Sequence, residues 1–265
     1  GAVTGDAEWS IVGVTRWIVD FNFYRRGGEQ VFPLYLYPSE SKTTLFDEDE
    51  KTDSPGGRRP NLSPEFITDV ENKIGMKFVS DGKGDLEKTF GPEDVFNYIY
   101  AVFHSPTYRT RYAEFLKIDF PRVPLTSNAD LFRTLCTLGD KMVKLHLMES
   151  TGPNLPNYPV SLPPDDEKKD RVDKVRYTEP GQGAPEGRVW INDKQYFEGI
   201  PKEVWEFHIG GYQVCEKWLK DRKGRVLSYD DLEQYRKTAA ALSETIRLMS
   251  EIDEAIDEHG GWPID

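Results

Sequence analysis

The stretch Phe90 to Leu125, FGPEDVFNYIYAVFHSPTYRTRYAEFLKIDFPRVPL, decides how the rest of the chain is read. It spells two helices broken by one proline. Pro92 sits where a first helical turn tolerates proline, and Glu93 and Asp94 follow where the positive helix end favours carboxylates. Val95, Phe96, Ile99, Val102 and Phe103 then recur at helical spacing, which predicts a buried face. Ser105-Pro106 ends this helix and caps the next, where Tyr108, Tyr112 and Phe115 or Leu116 share one side. Pro121 and Pro124 are expected to stop it.

Working outward, Ser127 to Ser150 carries Leu131, Leu135, Leu138, Met142 and Leu145 at threes and fours, a third core helix. Ser63-Pro64 caps a short helix that runs to about Ile74, and Asp81 to Gly84 is a turn leading into the central stretch. Toward the start, Gly1 in place of Met suggests a processed terminus. Trp9 to Tyr24 reads as two short strands and Gln30 to Tyr37 as another, with Arg25 and Arg26 at the turn between. Ser39 to Ser63 is polar and rich in Pro and Gly, a surface excursion that holds Arg58 and Arg59. Beyond the third helix, Pro153, Pro156, Pro159, Pro163 and Pro164 forbid regular helix, and Asp165 to Asp170 is a solvated charge run. Strands at Val172 to Tyr177 and Arg188 to Asn192 make a hairpin around a Gly/Pro turn. Pro201 to Leu219 returns to helix, interrupted at Gly210-Gly211. Ser228 caps a long final helix with Leu232, Tyr235, Ala239, Leu242, Ile246, Met249, Ile252 and Ile256 along one stripe. Over about 25 residues that stripe is roughly 38 Å long, the seam of a bundle or a docking face.

The expected fold class is therefore α+β: a β-rich N-terminal region, a helical core, a second hairpin region and a long C-terminal helix. We expect one domain over residues 1–265 with two lobes, about 1–90 and 91–265, the hairpin at 172–192 inserted in the second.

This pattern carries a resemblance. Glu93 to Tyr100, His104-Ser105-Pro106-Thr107-Tyr108-Arg109 with Tyr112, Leu116, and Pro121 to Pro124 resemble the signature of the C-terminal specificity, or target recognition, domain of type ISP restriction-modification enzymes and related adenine-specific DNA methyltransferases. Phe32 to Tyr35, Leu145-His146-Leu147, Gly199-Ile200-Pro201 and Trp218 to Arg222 extend the likeness over most of the chain. The resemblance implies a non-catalytic DNA-recognition part of a larger polypeptide. That polypeptide would also hold a nuclease, an ATP-driven translocase and an N6-adenine methyltransferase, using S-adenosylmethionine, ATP and Mg. The methyltransferase core expected upstream is missing from this sequence. Its implied partners are double-stranded DNA and the methyltransferase and translocase domains.

Composition fits a folded chain, with 37% hydrophobic and 12% aromatic residues. No window approaches the roughly 18 to 20 apolar residues of a membrane span, and no secretory signal is present, so the expectation is a cytoplasmic protein. Cys136 and Cys215 stand alone in apolar helical patterns, which predicts buried thiols and no structural metal. The chain lacks GxxxxGK[ST], HExxH and GxSxG patterns, a glycine-rich cofactor loop and an Asn/Asp-Pro-Pro-aromatic motif. His104 and His146 lie on or beside apolar faces and read as core or capping residues; His208 and His259 have no evident partner.

The net charge of −12 argues at face value against nucleic acid, but the distribution matters more. Glu244 to Asp265 holds seven acids against Arg247, half of the excess. The densest cations are Lys217, Lys220, Arg222, Lys223 and Arg225 around Asp221, which either touch DNA phosphates or balance a helix C-terminus. Arg25, Arg26, Arg58, Arg59, Lys83, Arg109, Arg111 and Arg122 are further candidate DNA contacts, with a solvated turn the plainer reading of Arg25 and Arg26. Base readers are expected in Ser39 to Ser63, Asp81 to Lys88 or Thr178 to Lys194. The rival reading is an acidic protein-docking module without direct DNA contact.

Overall fold

A computed structural model describes residues 12–19, 30–37, 57–181 and 186–264. The fold is α+β, with small sheets among helices and a long C-terminal helix. The described residues fall into two compact units, one from 15–143 with 251–264 and one from 12–14 with 144–250.

In the first unit β1 (Tyr35–Leu36) pairs antiparallel with β2 (Arg59–Pro60). Helix α1 (Pro64–Ile74) starts where expected: Ser63 Oγ accepts from the Phe66 N–H at 3.2 Å, and left-handed Gly75 (φ 71°) closes its end. β3 (Lys77–Phe78) runs parallel to β4 (Thr89–Phe90), which feeds α2 (Pro92–His104). The buried Asp94 carboxylate accepts from the Gly91 N–H (2.9 Å) and the Gly84 N–H (2.7 Å), tying the turn before β4 to the start of α2. Burial raises its pKa and those two bonds oppose the rise.

The proline break falls as read. Ser105 Oγ accepts from the Tyr108 N–H at 3.0 Å and opens α3 (Pro106–Arg111). A second short helix, α4 (Ala113–Leu116), follows, so the chain leaves helix at Leu116, before Pro121 is reached. Residues 121–126 then run as a strap pinned by two tyrosines. Tyr98 donates to the Pro124 carbonyl (2.8 Å) and Tyr108 to the Arg122 carbonyl (2.7 Å). Asn128 caps α5 (Ala129–His146), where Gly139 lies against α2: a Cβ there would sit 1.9 Å from the Asn97 carbonyl oxygen. Phe132 of α5 meets Phe90 and Tyr98 with ring centroids 5.9 and 5.2 Å apart, the aromatic centre of this unit.

The second unit departs more from expectation. The residues 172–175 read as strand are irregular, and β5 (Arg176–Thr178) is short. It pairs antiparallel with β6 (Arg188–Trp190), and β7 (Tyr196–Glu198) adds a third strand. The sequence pattern does not mark that third strand; Asn192 makes the intervening turn, its Oδ1 accepting from the N–H groups of Lys194 (2.8 Å) and Gln195 (2.7 Å). The helix expected over 201–219 is two helices, α6 (Lys202–Trp205) and α7 (Val214–Lys220), separated by a hairpin of β8 (His208–Ile209) and β9 (Tyr212–Gln213). Gly210 and Gly211 both have positive φ (56° and 85°), the two-residue turn that matches strand twist.

Helix α8 (Tyr229–Glu258) has 30 residues, roughly 45 Å of helix. Ser228 and Asp231 cap it reciprocally. Most of its stripe is buried: Tyr235, Ala239 and Leu242 join Val189, Phe197 and Leu219 in the core of the second unit, Ile252 and Ile256 are buried in the first, and Leu232, Ile246 and Met249 are half-buried. Cys136 and Cys215 are free, buried thiols; burial pushes Cys136 up and Cys215 up to about 12.

Of the expected N-terminal strands, 12–19 is irregular and Gln30 to Tyr37 forms strand only at Tyr35–Leu36. The remainder of that region, with Arg25, Arg26 and most of the Ser39 to Ser63 excursion, lies outside the described residues.

Candidate nucleic-acid interface

The first-unit candidates separate by how far each side chain is committed. The Arg58 guanidinium lies over the Tyr35 ring (4.0 Å to the centroid) and reaches Asp81 at 2.6 Å, while Lys83 meets Asp140 at 2.6 Å. Both fasten loops. Arg109 turns inward: its Nε donates to the Phe103 carbonyl at 2.7 Å, and burial lowers its pKa. Such a guanidinium belongs to the α2–α3 corner and is not offered to a phosphate. Arg122 is mostly exposed, 5.2 Å from the Phe115 ring and 3.7 Å from Asp119. Arg59 and Arg111 are exposed, without an ion-pair partner among the described residues.

In the second unit the densest cationic run ends α7 and fills the turn after it. Lys217 and Lys220 each pair with an acid one helical turn away, Asp221 at 2.8 Å and Glu216 at 2.9 Å. Arg222 lies flat on Trp218, 3.5 Å from the ring centroid, donates to the Trp218 carbonyl (3.1 Å) and faces Asp231 at 3.4 Å. Capping and packing account for Arg222. Lys223 and Arg225 are exposed and pair with no described residue.

The structure adds one cation that sequence reasoning left out. The chain at 170–172 runs beside 224–227 through Val172 N–H to Arg225 O (2.9 Å), Gly224 N–H to Val172 O (2.7 Å) and Leu227 N–H to Asp170 O (2.7 Å). This strap carries Lys174 to Lys220 and Lys223, and the three lysines line an open depression of about 190 Å³ with Asp173 and Val175. The signal was present as the basic residues Lys168, Lys169, Arg171, Lys174 and Arg176, but nothing in the sequence says which run they pair with. Three lysines line the depression against Asp173 and the Glu216 carboxylate that Lys220 pairs with, which leaves a locally positive balance for an anionic oxygen despite the acidic total.

The histidines have backbone or hydroxyl partners. His104 Nδ1 lies 2.8 Å from the Tyr100 carbonyl, His146 Nε2 3.0 Å from Thr245 Oγ1, and His259 Nδ1 2.7 Å from the Ala255 carbonyl. His208 likewise faces the Glu206 carbonyl.

The family model for the Type ISP C-terminal specificity domain matches residues 2–251. The chain belongs to this family. The specificity domain is also similar to two solved structures: a cryo-EM DrdV–DNA complex (21% identity, TM-score 0.56, 83% of this chain and 21% of that one) and the ATP-dependent Type ISP restriction-modification enzyme LlaBIII bound to DNA (21% identity, TM-score 0.53, 93% of this chain and 14% of that one). At that identity the likeness shows the fold. The specificity domain spans about a fifth of the first solved chain and less of the second. No curated protein matches it. Among the described residues no helix is long and apolar enough to cross a membrane.

Proposed function

We propose that this specificity domain recognises the DNA target of a larger restriction-modification polypeptide, with double-stranded DNA as its ligand. The observation that carries the reading is the family match over residues 2–251. The lysine-lined depression of the second unit supports it, because phosphate affinity depends on local cations that displace counterions and not on total charge. In this reading Lys174, Lys220, Lys223 and Arg225 hold the backbone, with Arg59, Arg111 and Arg122 as further phosphate contacts. These contacts set register and carry no sequence information; base edges must be read elsewhere.

The same reading makes the chain non-catalytic and cytoplasmic, its two units serving one recognition module. S-adenosylmethionine, ATP and Mg would serve the methyltransferase and translocase domains of the polypeptide, which are its covalent partners. Calorimetric titration of the chain with S-adenosylmethionine should give only heats of dilution.

The direct test is fluorescence anisotropy with duplexes drawn from a random library at two salt concentrations. DNA recognition requires binding that weakens with salt and differs between sequences. Equal, salt-insensitive or absent binding would favour the acidic docking module instead.

A further inference from the structure

The three-stranded sheet of the second unit has one core face, with Val189 and Phe197 fully buried, and one outward face. On the outward face the register places Arg176, Trp190 and Tyr196 in one cross-strand row, and Thr178, Arg188 and Glu198 in the next. The two arginines are treated differently. Arg188 lies over Tyr196 (4.4 Å) and gives Nε and Nη2 to Glu198 Oε1 at 2.8 and 2.7 Å, so its charge is paired and one edge of its fork is occupied. Arg176 lies over Trp190 (4.1 Å), is exposed on an edge strand, and has no hydrogen-bond or ion-pair partner among the described residues. Its platform is fixed on both sides: the Trp190 indole N–H donates to Thr178 Oγ1 at 3.0 Å, and the ring packs on Tyr196 at 4.6 Å.

We propose that Arg176 reads a guanine of the bound duplex from the major groove, an inference that rests on the DNA-recognition reading above. Stacking uses the face of a guanidinium and leaves its in-plane N–H fork free, and that fork matches guanine O6 and N7. Trp190 also removes rotamer freedom before binding, so less is lost when the two hydrogen bonds form. Lys174, two residues upstream, contributes to the lysine-lined depression, which places a backbone anchor close in the chain to the reader. The major groove admits a β-ribbon, and β5 lies at the edge of its three-stranded sheet.

The test is selection from a random duplex library by the full-length protein that contains this chain, wild type against Arg176→Ala, Arg176→Lys and Arg176→Gln. The wild type should select a motif with guanine at one position that Arg176→Ala no longer discriminates, losing roughly 5- to 150-fold preference there and leaving the other positions intact. Arg176→Lys should relax the same position, and Arg176→Gln should move it toward adenine. Trp190→Leu should weaken it partially. An unchanged motif in Arg176→Ala, with the melting temperature preserved, overturns the assignment. Uniform loss at every position also overturns it, by making Arg176 a phosphate contact. If the wild type itself selects no motif, the DNA-recognition reading fails and the assignment falls with it.

Discussion

Thr107 and Asp253 lie 146 residues apart in sequence and are joined twice, the Thr107 N–H at 3.0 Å and its hydroxyl at 2.7 Å both donating to Asp253 Oδ2. The other carboxylate oxygen accepts from Ser105 Oγ. One side chain near the end of α8 thus closes the start of α3, where amide donors have no helical partner. Asp253→Ala should cost about 2 kcal/mol in urea unfolding, the scale of hydrogen bonds to an ionised group. Asp253→Asn should recover part of it. No loss in Asp253→Ala would mean water replaces the carboxylate freely.

Substituting Lys174, Lys220 and Lys223 together with Ala should weaken cognate and random duplexes alike. The log–log salt slope should flatten by about 0.9 for each phosphate that the variant no longer neutralises. Arg222→Ala is the control: its guanidinium packs on Trp218 and faces Asp231, so stability should fall while the salt slope holds. The opposite pattern would assign the phosphate to Arg222 in place of the depression.

Acid should reveal Asp85. Its Oδ1 accepts from the N–H groups of Lys88 (2.8 Å), Thr89 (2.9 Å) and Glu87 (2.9 Å), which hold its carboxyl well below the usual range. A depressed folded pKa gives stability that is complete above the unfolded value, about 3.9, and is lost as pH falls toward the folded one. The advantage of wild type over Asp85→Asn should therefore shrink from about pH 5 downward. Unfolding curves at several pH values measure this, and a difference that stays constant with pH would refute the mechanism.

Leu242 is 7% exposed in the core of the second unit, on the same α8 stripe as the fully buried Tyr235. Leu242→Asp would place an unpaired carboxylate there and should cost about 3 kcal/mol or more. An unchanged melting temperature would show that the stripe is not packed.

The sequence by itself determined the local events. Ser63, Ser105 and Ser228 begin helices because a hydroxyl satisfies an orphan amide within three residues, and Pro92 and Pro106 sit in first turns that need no N–H. The α8 stripe was legible because its period repeats for seven turns, and the family was legible in the motif around Pro106. The tertiary structure decided what depends on partners distant in the chain. Gly210-Gly211 interrupts helix in either reading, and only pairing of His208–Ile209 with Tyr212–Gln213 makes it a hairpin. Arg109 and Arg111 look alike in sequence, yet one is fixed to the Phe103 carbonyl and the other is exposed. Lys174 reaches Lys220 and Lys223 because backbone bonds lay 170–172 beside 224–227, and Arg176 meets Trp190 because strand register sets them opposite. Caps and periods act over a few residues and are written locally; ion pairing, stacking and burial act through space, and the closed fold chooses their partners.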